Sequence, residues 1–437
     1  MKKHFLRLLF LTLFLIFTIY FISKTQNKNE FGSNLTCIKC NIILISIDPF
    51  RTANIHIYGY NKAITPNIDG FAKDSLFFTH TYSPSSWTLP AEMSLLTGKY
   101  PFKHKVLNKI TITENQSEEV TNLKKLSPEI KTLAELLKDK GYKSAIFTGG
   151  AALDRQFGFD EGFEEYHSGK DFSGADFNRA FEWLRKNKVN NYFLFIQGFD
   201  LHGQFEPDEG FDFRFKNPKY SGKLTGSKEE QKLLREDALY SKKLDLTSDD
   251  AELLKSIYDE KLNNFDKKFG EFISNLKDLG IYNSSIIILT SSHGEEFYEH
   301  QRIDHGHSLY QELIRVPLIL KIPGLKNIKI EQQISLIDIV PTLLDLTGLL
   351  GKNSSFDGKS IFPLKELKER QIFSETDYRY AVSLRSMITT DQWKIIKNIE
   401  NGEKQLFNLK IDPNENFDLA EKNTKKLNEL SEFLDKI

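Results

Sequence analysis

The apolar positions along this chain follow two alternating periods. Asn41 to Ile47 (NIILISI) is a nearly unbroken apolar run closed by Asp48. A run with no polar face fits a strand buried on both sides, here with a carboxylate at its C-terminal edge. SAIFTGG, YFLFIQGF and SIIILT (285–290) repeat the pattern, while TLAELLKDKGY, FNRAFEWLRKNK and the stretch from Ala251 to Leu279 carry apolar residues at helical spacing. Strands and helices in alternation predict an α/β fold, a three-layer sandwich with a large, mostly parallel central sheet and helices on both faces. From Phe373 onward, short strands and an amphipathic helix predict a small C-terminal α+β subdomain, giving a main domain over 41–370 and an appendage over 371–437. Phe205 to Asp250 is polar, charged and poorly periodic, the pattern of a surface insertion.

One segment, Ser83 to Pro101 (SPSSWTLPAEMSLLTGKYP), combines helix punctuation with a reactive side chain. Pro90 suits a first helical turn and Gly98 a C-terminal cap, so Thr88 sits at or just before the N-terminus of a short apolar helix. Unpaired N–H groups and the positive end of the helix dipole gather there, which favours an anionic group or a hydroxyl becoming an alkoxide. The plainer role for Thr88 is an N-cap.

Composition narrows the class. A net charge of −1 over 437 residues argues against a nucleic-acid partner. Leu8 to Ile22 is an uncharged apolar run preceded by Lys2, Lys3 and Arg7, the polarity of an export signal whose N-terminus stays in the cytoplasm. The SKTQNKNE that follows holds no small-x-small cleavage pattern. Residues 1–22 are therefore expected to anchor the chain in the cytoplasmic membrane with the main domain outside, the alternative being secretion after cleavage; residues 23–40 form a polar tether. The two cysteines, Cys37 and Cys40, read as a local disulfide or a pair of idle thiols, since two thiolates are only half of a structural zinc set.

Polar groups collect where the apolar runs end: Asp48 after the first, Asp200 and His202 after a middle one, His293 after a late one, with His305 and His307 on the loop beyond. Singly, such groups are ordinary caps or satisfied core residues. Together, at the sheet edge where open α/β folds bind ligands, they point to one site. Asp and His around a divalent ion, with a Thr hydroxyl as a further ligand, would acidify the hydroxyl and stabilise charge developing on a tetrahedral ester.

These segments resemble the sulfatase family of the alkaline-phosphatase-like superfamily, over nearly the whole chain after the tether. NIILISIDPFR resembles its opening strand and metal aspartate, TPNIDGFAKDSLFFTHTYSPSSWTLPAEMSLLTGKYP its nucleophile segment, and LTSSHGEEFYEH its late metal loop. VPLILKIPG, SLIDIVPTLLDLTGL, DGKSIFPL and KQLFNLKIDPNENFDL resemble, in order, segments that frame the fold. The family's modifiable Cys or Ser, with Pro two and Arg four positions on, is replaced here by Thr88, Pro90 and Glu92, which excludes formylglycine chemistry. A Thr at this place resembles the branch containing phosphoethanolamine and phosphoglycerol transferases, where Thr attacks and binds the metal. The resemblance implies a divalent ion (Ca, Mg, Mn or Zn) on Asp48, Thr88 and His293, with Thr88 as nucleophile and His202 or His305 as general acid. Asp200 and His307 would then contact a sulfate- or phosphate-ester substrate, in a hydrolase or transferase. Ala53 and Ser292 stand where the family carries carboxylates, and Glu92, in place of the arginine, would repel the anion. Those departures imply the alternative, a catalytically degenerate member that keeps the fold as a binding or scaffolding module.

Overall fold

The computed structural model describes residues 37, 40–107, 109–112, 118–121, 124–170, 172–189, 191–203, 213–241, 244–351, 355–378 and 382–436. The Leu8 to Ile22 run and the Ser23 to Ser33 tether lie outside these. Among the described residues no helix is long and apolar enough to cross a membrane. Cys37 and Cys40 form a disulfide just ahead of the first strand.

The main sheet has nine strands: β1 (Asn41–Ile47), β2 (Leu76–Tyr82), β3 (Lys143–Thr148), β4 (Glu165–Ser168), β5 (Tyr192–Gly198), β6 (Ser285–Thr290), β7 (Arg315–Lys321), β8 (Ile328–Ile330) and β9 (Ile334–Ser335). Their order is β8-β2-β7-β6-β1-β5-β3-β4, with β9 also paired to β2. The pairs from β6 to β4 are parallel, whereas β7 runs antiparallel to both of its neighbours. In β1, Ile42 and Leu44 enter one apolar layer while Ile43, Ile45 and Ile47 enter the other. Successive side chains of a strand point to opposite faces, so only a strand covered on both sides can be apolar throughout.

Helices α2 (Thr88–Thr97), α3 (Leu133–Lys138) and α7 (Ile339–Leu346) cover the first layer. Helices α1 (Pro66–Lys73), α4 (Phe177–Asn187) and α6 (Ser248–Asp278) cover the second. Helix α6 begins ahead of Ala251 because Thr247 Oγ1 accepts from the Asp250 N–H while the Asp250 carboxylate accepts from the Thr247 N–H, a reciprocal cap. The stretch read as a surface excursion contains α5 (Lys228–Ser241), which packs back onto the main domain through Leu234 and Ala238.

At the C-terminus, β10 (Ile372–Tyr378), β11 (Val382–Ile388), β12 (Trp393–Asn398) and β13 (Lys404–Asn408) form an antiparallel sheet, with α8 (Thr424–Leu434) against one face. Its other face, through Ile372, Ile388 and Phe407, meets Tyr82, Leu309 and Leu313 of the main domain.

Candidate active site

Strand β1 lies between β5 and β6 and is parallel to both, so the loops leaving these three strands meet at one edge. Asp48 is wholly buried there. Its Oδ1 accepts from the Ser292 N–H at 2.9 Å and from Ser291 Oγ at 3.0 Å, and Gln197 Nε2 lies 3.4 Å from Oδ2. Burial raises the pKa of this carboxyl, with the Ser292 and Ser291 hydrogen bonds opposing the shift.

Thr88 is the first residue of α2, preceded by extended Trp87, and Gly98 at φ +66° closes the helix. No side chain caps that N-terminus. The Thr88 hydroxyl instead lies 3.0 Å from His293 Nε2. His293 Nδ1 lies 2.8 Å from its neighbour's carbonyl, Gly294 O. A carbonyl can only accept, so the proton sits on Nδ1, and Nε2 presents a lone pair to Thr88. Burial, then the neighbouring His305, lowers the His293 pKa well below its usual value and keeps the ring neutral.

The His293 ring lies 4.2 Å from that of His305, and His305 lies 5.2 Å from His202. Thr88, His293, His305 and His202 thus form one row. The two outer histidines differ in charge. Burial works against a proton on His305, yet Asp304 at 2.8 Å and Glu295 at 3.3 Å carry its pKa up to about 9. At His202 the attraction of Asp304 is outweighed: burial, followed by Arg235 and His305, holds its pKa well below its usual value. Arg235 of α5 pairs with Asp304, whose pKa falls well below the ordinary range despite burial. Sequence reasoning passed over Arg235 because it treated its segment as a solvated excursion, and no local pattern marks the arginine as inward-facing.

Asp200 and His307, expected at the substrate, engage protein groups: Asp200 Oδ2 accepts from the Ala175 N–H at 2.6 Å with Lys268 3.5 Å from Oδ1, and His307 Nε2 lies 2.8 Å from Glu296 Oε2. Glu92 does not confront an incoming anion. Four residues after Thr88, on the same helical face, it is wholly buried and accepts from Ser46 Oγ at 2.5 Å. Burial and adjacent Asp48 push its pKa well above the usual value, which favours its protonated form. Ala53 is exposed to solvent. Ser292 bears on the site, since its backbone holds Asp48.

Among the described residues, two groups of carboxylates and histidine have ligand chemistry for a cation. Glu295, Asp304 and His305 bring one donor atom each within 4.8 Å of one another, as do Glu296, His300 and Glu312. In the Asp48, Thr88 and His293 set, the donors are a carboxylate oxygen, a hydroxyl and an imidazole Nε2. That mixture fits Zn²⁺ or Mn²⁺ better than Ca²⁺, which takes six to eight oxygens.

Comparison with known proteins gives a consistent picture. The model of the sulfatase family matches residues 40–349, and that of the C-terminal region of N-sulphoglucosamine sulphohydrolase matches residues 298–436. Bos taurus arylsulfatase K is 26% identical over 445 residues, an alignment covering 87% of this chain and 78% of that protein. Among solved structures, a putative sulfatase from Bacteroides thetaiotaomicron superposes with a TM-score of 0.72 at 18% identity, covering 91% of this chain and 92% of the other. The phosphonate monoester hydrolase of Agrobacterium radiobacter gives 0.68 at 19% identity, with 91% and 95% covered. At such identities the likeness speaks for the fold.

Proposed function

Because the chain belongs to the sulfatase family, we propose that it is a sulfuric ester hydrolase in which the Thr88 hydroxyl is the nucleophile. The observation that supports this reading most directly is the 3.0 Å approach of Thr88 Oγ1 to His293 Nε2 at a helix N-terminus that Thr88 does not cap. In this reading His293 Nε2 takes the Thr88 proton as Oγ1 bonds to sulfur, and the N-terminus of α2 lies where sulfate oxygens gain charge. His305, kept protonated by Asp304 and Glu295, gives its proton to the departing alcohol oxygen as the S–O bond breaks. The neutral His305 then takes a proton from water, whose oxygen displaces sulfate from Thr88 while His293 returns the proton to Oγ1. Asp48 and Thr88 would hold a divalent ion, the Nε2 lone pair of His293 being engaged by Thr88, and the ion when bound would acidify the hydroxyl and polarise the ester. Residues 1–22 would anchor the chain in the cytoplasmic membrane with this site outside. Ser292, in place of a carboxylate, favours the second reading, a site too weak in metal to turn over.

Full-length protein should hydrolyse an aryl sulfate, phosphate or phosphonate in the presence of Zn²⁺, Mn²⁺, Mg²⁺ or Ca²⁺. Thr88→Ala should lower kcat by at least about a thousandfold, as expected for a lost covalent nucleophile. Activity indifferent to Thr88→Ala, or none across the panel, would sink this reading.

A further inference from the structure

Two buried carboxyls meet one helical turn from Thr88, and two elements put them there. Ile42 and Leu44 of β1 point into the layer that holds α2. Side chains alternate along a strand, so Ser46 shares their face and Asp48 continues the same parity just past the strand end. On α2, Glu92 follows Thr88 by four residues, which sets both side chains on one helical face. Glu92 therefore meets Ser46 and Asp48 beside the nucleophile.

The hydrogen bonds in this contact leave two oxygens over. Ser46 Oγ donates to Glu92 Oε1 at 2.5 Å, which fixes the carboxyl; Oε2 has no hydrogen-bond donor, although the side chain is wholly buried. On Asp48, Oδ1 takes the Ser292 N–H and Ser291 Oγ, whereas Gln197 Nε2 stands 3.4 Å from Oδ2. The two carboxyls lie within hydrogen-bonding reach of each other, and the charged group that acts on Glu92 is Asp48 itself rather than a lysine or arginine. Buried polar atoms are almost always paired, and two carboxylates closed together repel unless a proton or a cation joins them.

Resting on the reading that a divalent ion sits at Asp48 and Thr88, we propose that Glu92 is the second charged ligand of that ion, through Oε2, and that Ser46 positions it. A dication set against Asp48 alone would leave one positive charge buried and unmatched; with Glu92 the charges cancel. The carboxylate lacking at Ser292 is thereby supplied from α2. Carboxylate and hydroxyl oxygens suit Mn²⁺ and Mg²⁺.

The rival arrangement is a proton shared between the carboxyls. Glu92→Gln separates the two, because the amide can accept from Ser46 and donate to Asp48 as a protonated carboxyl would, but brings no charge. The test uses the full-length protein and Mn²⁺ alone. Calorimetric titration should show Mn²⁺ bound at least about tenfold more weakly by Glu92→Gln than by wild type, the loss of one charged ligand. In chelator the variant should melt no lower than wild type, and in Mn²⁺ it should melt below it, since the ion stabilises the folded chain according to its affinity. Equal Mn²⁺ affinity in the two proteins would overturn the assignment. If Glu92→Gln does not fold, Ser46→Ala decides, because it keeps both carboxyls and frees Glu92: weaker Mn²⁺ binding supports the assignment and unchanged binding overturns it. Asp48→Asn separates this proposal from the reading beneath it. Loss of the ion in Asp48→Asn with retention in Glu92→Gln would remove Glu92 alone. Retention in both, or no binding by wild type, would remove the ion from this site and Glu92 with it, while the role of Thr88 would still be decided by turnover in Thr88→Ala.

Discussion

At the scale of single residues, the site turns on how burial distributes charge. Asp48 and Glu92 are adjacent and wholly buried, and two carboxylates so placed cannot both ionise without a cation. Burial and Asp48 raise the Glu92 pKa, and a residue that looked hostile to anions in the sequence is a core hydrogen-bonding group on Ser46. Ser292 is the position where charge is wanting. Ser292→Asp would set a third carboxyl beside Asp48, and without an ion an uncompensated buried charge costs about 3–5 kcal/mol. Its melting temperature should therefore fall in chelator and recover with Mn²⁺ or Zn²⁺. Calorimetric titration should show the ion bound at least about tenfold more tightly than by wild type, the gain of one charged ligand. Tight wild-type binding that collapses in Asp304→Ala would instead move the ion to the cluster of Glu295, Asp304 and His305.

At the scale of elements, much of this arrangement was legible and some was not, for physical reasons. A strand covered on both faces has to be apolar throughout, so β1, β5 and β6 announce themselves, and the polar residue closing each run marks the site edge; that is how Asp48, His202 and His293 are found. Strand direction leaves no such trace, and the antiparallel β7 is invisible in the apolar run VPLILKIPG. Segments whose partners are distant in sequence are also hidden: α5 reads as solvated until Arg235 is seen against Asp304. The loop from His300 to Glu312 shows how such contacts set pH behaviour. His300 Nδ1 lies 2.6 Å from Glu312 Oε1, its Nε2 lies 3.2 Å from Glu415 O, and its ring stacks 3.6 Å from Tyr310. Burial opposes a proton on His300, but Glu312 and Glu415 O carry its pKa up to about 9. A histidine raised on folding contributes stability that is whole below its unfolded pKa of about 6.5 and is lost as pH rises through about 9. Melting temperature should decline across that window, with His305 contributing in the same sense, and His300→Gln should flatten the decline. An unchanged slope in the variant would show that this pair does not link the loop to pH.

At the scale of the molecule, the question is whether the C-terminal sheet is an appendage or part of the machinery. The boundary expected near residue 371 separates two architectures, yet the contacts across it are those of one body. From β10, Ser374 Oγ donates to Ser83 O at 2.6 Å, the Glu375 N–H donates to Pro84 O at 2.9 Å, and Thr376 Oγ1 donates to Gly306 O at 2.8 Å. These acceptors lie just ahead of Thr88 and between His305 and His307. Tyr378 at the end of the same strand packs 4.7 Å from Trp87, the residue before the nucleophile. Further down, buried Lys394 pairs with Glu415 at 2.6 Å, while Glu415 Oε2 accepts from the Gln311 N–H at 2.6 Å. Detaching this sheet would deprive buried Glu415 of the Gln311 N–H and uncover the apolar face around Ile372 and Phe407, which independent units do not do. The whole chain should therefore unfold in a single calorimetric transition, with the two halves melting together. A chain ending at residue 370 should lose the Thr88 site along with its fold, giving insoluble or molten protein with no ordered near-ultraviolet signal. Two separated transitions, or a truncated chain that keeps its tertiary signal, would show that the antiparallel sheet only decorates the sandwich. Loss of the signal together with the sheet would show that it buttresses the loops carrying the nucleophile and the proton donor.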